Sequence, residues 1–214
     1  MKAEYFFGLD FGKTHDFTAL VVLERAELQG AWDPVAFGFR TVTVLRLRYV
    51  KRFPLGTEYV EIVQRVKEMM GSRALNGPRH LVVDATGLGS PIVELLRRAE
   101  MGCRLWPVSI TGGDKDSFAD GLYRVPKRDL VVGLQVLFEQ GALQIAEGLS
   151  ERAALVKEMS DMRVKVTSGG HEQYEAGKSG QHDDLVSALS LACWAVSKRW
   201  RGGGVGFRSD RRLV

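Results

Sequence analysis

Two short apolar runs that each end on an aspartate constrain this chain most. Glu4 to Asp10 closes inside Gly8–Leu9–Asp10–Phe11–Gly12, and Arg79 to Asp84 closes inside Leu81–Val82–Val83–Asp84–Ala85–Thr86–Gly87. Runs this short and this apolar predict central strands, buried on both faces of a sheet. Side by side and parallel, they would bring Asp10 and Asp84 out at one edge, about 5 Å apart. Ligands of open α/β sheets gather at such carboxyl ends.

The remaining pattern supplies the rest of a sheet. Phe17 to Glu24 predicts a second strand, Glu27 to Pro34 a turn, and Val35 to Phe53 a third strand, joined by connections short enough for an antiparallel meander. Glu58–Met70, with Thr57 as cap and Gly71 as stop, predicts a helix, and Gly89–Ala99 predicts another. Leu105–Ile110 reads as a strand, Pro126–Glu139 as a helix closed by Gly141, and Ala142–Ala146 as a short strand. A helix from Ser150, with Leu155, Val156 and Met159 inward, precedes a hairpin over Met162–Gly180. Asp183–Lys198 forms the final helix. The class is α/β, with a mixed central sheet of three antiparallel strands and then parallel strands, flanked by helices. One domain is expected over residues 1–197, followed by a Gly- and Arg-rich tail over 198–214 too polar to bury a core.

Asp183 and Asp184 open the final helix, and a helix start packed on the strand edge would carry them to Asp10 and Asp84. Taken singly, each acid has a plainer role. Asp10 and Asp84 suit turns, Asp183 suits a helix cap, and Asp184 suits the helix dipole. Together they repel, and one would take up a proton unless a divalent cation intervened. Oxygen-only ligands favour Mg²⁺ or Mn²⁺, and two such ions roughly 4 Å apart activate water and stabilise a leaving phosphodiester oxygen. Asp16, six positions past Asp10, is either a supporting carboxylate or a turn residue. His182 orients water, ligates or stands by, and Lys13 or Lys178 is a candidate phosphate contact. His15 and His171 have no partner visible in sequence, and His80 reads as structural.

Charge is distributed unevenly. From Lys198 onward six cations face only Asp210, so the tail carries +5 of a net +4 and residues 1–197 carry −1. Inside the body, Arg40, Arg46, Arg48, Lys51 and Arg52 fall in a stretch without acids, either tracking a phosphate backbone or keeping a strand face solvated. Cys103 and Cys193 are too few for a disulfide framework, and a reducing compartment is the default. No apolar run approaches the roughly 20 residues of a membrane span.

These motifs resemble the ribonuclease H-like superfamily, and more closely the nuclease domain of tailed-phage large terminase subunits. The resemblance rests on Gly8 to Ala19, on Val82 to Gly89, and above all on His182–Asp183–Asp184–Leu185–Val186–Ser187–Ala188–Leu189. It implies two-metal cleavage of double-stranded DNA during genome packaging, in the cytoplasm of an infected bacterial host. It implies Asp10, Asp84 and Asp183 as catalytic metal ligands, with Asp184 and Asp16 as helpers, and a 162–180 hairpin bordering the site. It also implies an ATPase motor domain, a portal and a small terminase subunit as partners. The 214 residues leave no room for that ATPase domain, so either an isolated domain or an excised one is expected, without translocation activity.

Other readings compete. Gly8 to Thr14 is one residue short of a phosphate-cradling loop, and strand-like residues follow where that loop needs a helix. The actin- and sugar-kinase-like branch needs two such domains. A Holliday-junction resolvase or transposase core keeps the fold and changes the substrate. A non-catalytic DNA-binding or motor-docking module would use only the basic stretches. Base readout is expected to be weak, since nothing resembles a groove-reading helix.

Overall fold

Full burial of Phe6, Phe7 and Leu9 puts β1 (Glu4–Asp10) where its composition demands, between two other strands and under helices on both faces. The computed structural model describes residues 3–12, 16–87, 89–166, 172–176 and 183–201. β1 pairs antiparallel with β2 (Ala19–Asp33), which pairs antiparallel with β3 (Gly38–Arg52). After α1 (Tyr59–Met70) the chain returns on the other side of β1 as β4 (Arg79–Asp84), parallel to it. α2 (Gly89–Arg98) leads to β5 (Arg104–Thr111), parallel to β4. A hairpin of β6 (Ser117–Ala119) and β7 (Leu122–Pro126) follows, with β7 parallel to β5. The chain continues through α3 (Lys127–Glu139), β8 (Leu143–Ile145), α4 (Arg152–Asp161), β9 (Met162–Val166), β10 (Glu172–Ala176) and α5 (Asp184–Arg201). Eight strands form one sheet in the order β6-β7-β5-β4-β1-β2-β3-β8, and β9 with β10 forms a separate antiparallel pair.

The core divides at the sheet. On one face Phe6, Val21, Leu47 and Val82 pack under α3, α4 and α5; on the other Phe7, Leu20, Val22 and Leu81 pack under α1 and α2. α5 lies so close to β1 that a Cβ on Gly8 would sit 1.9 Å from the Ala188 carbonyl oxygen. The far ends of the same two elements are tied by Arg199 Nε donating to Glu4 at 2.9 Å. His80, buried in β4, stacks on Phe6 with ring centroids 4.6 Å apart and accepts from Trp106 Nε1 at 3.3 Å, the structural role its sequence context suggested.

Several predicted boundaries move. β2 extends to Asp33, and the turn falls at residues 34–37 rather than at Glu27–Pro34. The outer halves of β2 and β3 therefore make an arm reaching about 26 Å beyond the paired end of β1. Trp32 and Phe39 pair across that arm and meet edge to face, and this cross-strand pairing overrides the turn signal of Gly30. Glu58, not Thr57, holds the N-cap position of α1, with no side-chain capping bond; the Thr57 hydroxyl instead donates to the Pro54 carbonyl at 2.7 Å. α4 begins at Arg152 rather than Ser150 and turns Leu155 and Glu158 inward, leaving Val156 exposed. β6 and β7 occupy the stretch between Ile110 and Pro126, for which no element was expected. α5 runs to Arg201, past the expected start of the tail at 198; residues 202–214 lie outside the described residues, as does the tip of the 162–180 hairpin. Among the described residues no helix is long and apolar enough to cross a membrane.

Two outcomes follow from this packing. Gly8→Ala forces α5 off β1 and costs at least about 2 kcal/mol, read as a lower urea midpoint. Burial, chiefly, holds His80 at about 4 against an ordinary 6.5. Its contribution to stability is complete above pH 6.5 and is lost as pH falls toward 4, on the order of 3 kcal/mol in all. Subtracting the pH–stability curve of His80→Gln from that of the parent should isolate this loss.

Candidate active site

The parallel register of β1 and β4 sets Gly8 beside Val82 and Leu9 beside Val83, so Asp10 and Asp84 leave the sheet as neighbours on one rim. The backbone then turns differently after each. Past Asp10, Gly12 N–H donates to Thr18 Oγ1 at 3.1 Å, and the Gly12 carbonyl accepts from the Tyr59 hydroxyl at 3.0 Å. Here a Cβ on Gly12 would stand 2.1 Å from the Asp16 carbonyl oxygen, so the turn requires glycine. Past Asp84, the Asp84 carboxylate accepts from Thr86 N–H at 2.6 Å and the Thr86 hydroxyl accepts from Ile110 N–H at 2.7 Å, tying the turn to β5. Asp84 thus organises its turn while keeping its place on the rim.

The close approach at Gly8 also holds α5 against β1, on the strand that ends at Asp10. Asp183 precedes that helix, its carbonyl accepting from Ser187 N–H at 2.8 Å, and Asp184 is its first residue. The other three acids all act on Asp10 electrostatically. The Asp10 carboxyl is held well above its ordinary range, first by burial, then by Asp84, Asp184 and Asp183, while Lys127 pulls it back. Lys127 Nζ donates to Asp183 Oδ2 at 3.0 Å. Asp184, buried, faces Arg52 Nε at 3.8 Å. Arg52 also pairs with Glu158, whose other oxygen accepts from Val186 N–H at 3.0 Å in the first turn of α5. Burial above all lifts the Glu158 carboxyl to about 7, with Asp184 and Asp183 adding to it and Val186 N–H and Arg52 opposing.

Sequence reasoning gathered Asp10, Asp84, Asp183 and Asp184 but passed over Lys127 and Glu158. Reading Leu122–Pro126 as a strand parallel to β5 would have placed Lys127 on the same rim. Glu158 stands at helical spacing from Leu155, and only an acid on an apolar face marked it. Asp16 is exposed, on the turn between Asp10 and β2. Lys13, His15, His171, Lys178 and His182 lie outside the described residues. The basic stretch does not present a continuous phosphate track. Arg40 pairs with Asp33, Arg46 donates to Gln144, Arg48 pairs with Glu24 and Arg52 faces the carboxylates, while Lys51 is exposed. β2 opens at Ala19 and residues 16–18 before it are not helical, so a strand stands where a phosphate-cradling loop needs a helix.

Four carboxylates supplying only oxygen fit a hard divalent ion, and the raised Asp10 carboxyl marks the charge such an ion would relieve. Among the described residues no three acids, histidines or cysteines stand together as a ready-made metal pocket. Two of the four are instead turned toward cations of the protein itself.

An antiparallel three-strand meander continued by parallel strands, with helices on both faces and aspartates on the rim, defines a ribonuclease H-like α/β domain. The chain belongs to the family described as the terminase RNaseH-like domain, whose model matches residues 56–195. It has the fold of the large terminase nuclease from thermophilic phage G20c with bound magnesium, at TM-score 0.60 and 22% identity over 90% of this chain and 81% of that one. The Thermus phage P74-26 large terminase nuclease domain aligns at TM-score 0.56 and 23% identity, over 89% and 78% of the two chains. The manganese-bound g2p nuclease domain from bacteriophage SPP1 aligns at 0.51 and 13%, over 90% and 86%. A search of curated proteins finds no match.

Asp10→Asn removes the charge most disfavoured at the rim. The metal-free variant at pH 8 should melt about 2–4 °C higher than the parent, the shift that 1 kcal/mol produces in a chain of this size. Added Mn²⁺ should raise the parent's melting temperature and leave the variant's unchanged, both read by calorimetry.

Proposed function

We propose that this domain is a divalent-metal-dependent endonuclease that hydrolyses phosphodiester bonds of double-stranded DNA. The observation that carries the reading is the convergence of Asp10, Asp84, Asp183 and Asp184 from three elements on one rim, close enough that the other three each raise the Asp10 carboxyl. Membership of the terminase family and the metal-bound neighbours of the same fold support it.

Asp10, Asp84 and Asp183 would hold Mg²⁺ or Mn²⁺, with Asp184 completing the set for a second ion and Asp16 as a helper. Bound there, such ions would lower the pKa of a water and neutralise charge developing on the phosphate. The chain's own contribution is positional. Thr86 N–H aims the Asp84 carboxylate, and Glu158 with Arg52 sets the first turn of α5 and with it Asp183 and Asp184. His182, Lys13 and Lys178 are assigned to water or phosphate contact, and Arg40, Arg46, Arg48, Lys51 and Arg52 to weaker backbone contact, Arg52 from its place beside Glu158 and Asp184. Within a large terminase the domain would work beside an ATPase motor, a portal and a small subunit in the infected host's cytoplasm.

Supercoiled plasmid incubated with the domain and Mn²⁺ should be nicked and linearised. Asp84→Ala should reduce the rate by at least about 100-fold while the protein stays folded by circular dichroism. Salt-sensitive plasmid binding without any cutting by the parent would instead leave a DNA-binding module.

A further inference from the structure

Lys127 stands where helix physics alone would not put it. Pro126 ends β7 and caps α3, so Lys127 is the first residue of that helix, where the backbone dipole favours anions over cations. The next two residues settle their charges locally, Arg128 facing Asp129 at 3.7 Å. Lys127 instead reaches across to Asp183, fifty-six residues away in sequence, at 3.0 Å. Four acids raise the electrostatic cost of this rim, and the Lys127 ammonium draws the Asp10 carboxyl back down. Its side chain and that of Asp183 are each about one-third exposed (37% and 31%), so the pair can open toward solvent without disturbing the core.

We propose that Lys127 is a resident competitor for the divalent-ion site: its ammonium holds Asp183 in the metal-free domain and must leave it before the carboxylates take up their ions. The inference rests on the metal-dependent reading above and adds a threshold to it. An ammonium pairs with one carboxylate and carries one charge. A divalent ion carries two and accepts several oxygens at once, so it wins at sufficient concentration. The lysine thereby lets an acidic rim fold without metal and raises the metal concentration at which it becomes competent.

Titration of the domain with Mn²⁺, followed by the electron paramagnetic resonance signal of the free ion, tests this directly. Lys127→Met and Lys127→Gln should each bind Mn²⁺ about tenfold more tightly than the parent at low ionic strength, and Lys127→Arg should bind like the parent. Loss of a merely structural residue would weaken binding, so a gain is the diagnostic result. Measurable binding that is equal or weaker in both neutral variants overturns the exchange and leaves the nuclease reading standing. No Mn²⁺ uptake by the parent or by either neutral variant overturns both.

Discussion

Like charge concentrated at one end of a buried sheet is the constraint on which the rest of this structure depends. β1 and β4 are apolar because they are covered on both faces, and each ends on an acid because the covering stops there. Their parallel pairing makes those acids neighbours, and the start of α5 adds two more. In so small a volume the protein must protonate a carboxyl, supply cations or bind them. The raised Asp10 carboxyl marks the pressure toward the first response, the approach of Lys127 and Arg52 to Asp183 and Asp184 is the second, and the proposed metals would be the third.

Much of the surrounding architecture serves the placement of α5. Gly8 lets the helix lie against β1, since any larger residue would meet the Ala188 carbonyl. Glu158, carried on α4, accepts from the first turn of α5 and pairs with Arg52 from the end of β3, so three elements meet at the helix start. A buried carboxylate with both a backbone donor and a guanidinium holds position more firmly than surface contacts would, because either partner lost leaves an uncompensated charge. At the far end Arg199 and Glu4 join the same helix to the same strand.

The β2–β3 arm stands apart from this centre. β2 starts at the rim and runs away from it, so the arm projects from the opposite end of the sheet. Its charges are largely satisfied within itself, with Asp33 accepting from Val35 N–H, Ala36 N–H and Arg40. Phe37 adopts a left-handed backbone (φ 47°) at its tip, where glycine or asparagine would sit with less strain.

Alternation, apolar runs and the aspartates that end them were enough to place β1, β4 and the start of α5, and to expect their acids on one rim. The same local signals supported the antiparallel meander. They did not locate the β2–β3 turn, because Gly30 and Asp33–Pro34 carry equal turn chemistry and only the long-range pairing of the arm decides between them. Nor did they assign Arg52, which lies in a basic stretch that local composition reads as solvent-facing or phosphate-tracking. Lys127 and Glu158 gained meaning only from partners 56 and 28 residues away. Apolar periodicity is a property of neighbouring residues, so the chain carries it openly. Charge compensation depends on distance through space, and that distance exists only once β7, α4 and α5 have packed on the sheet.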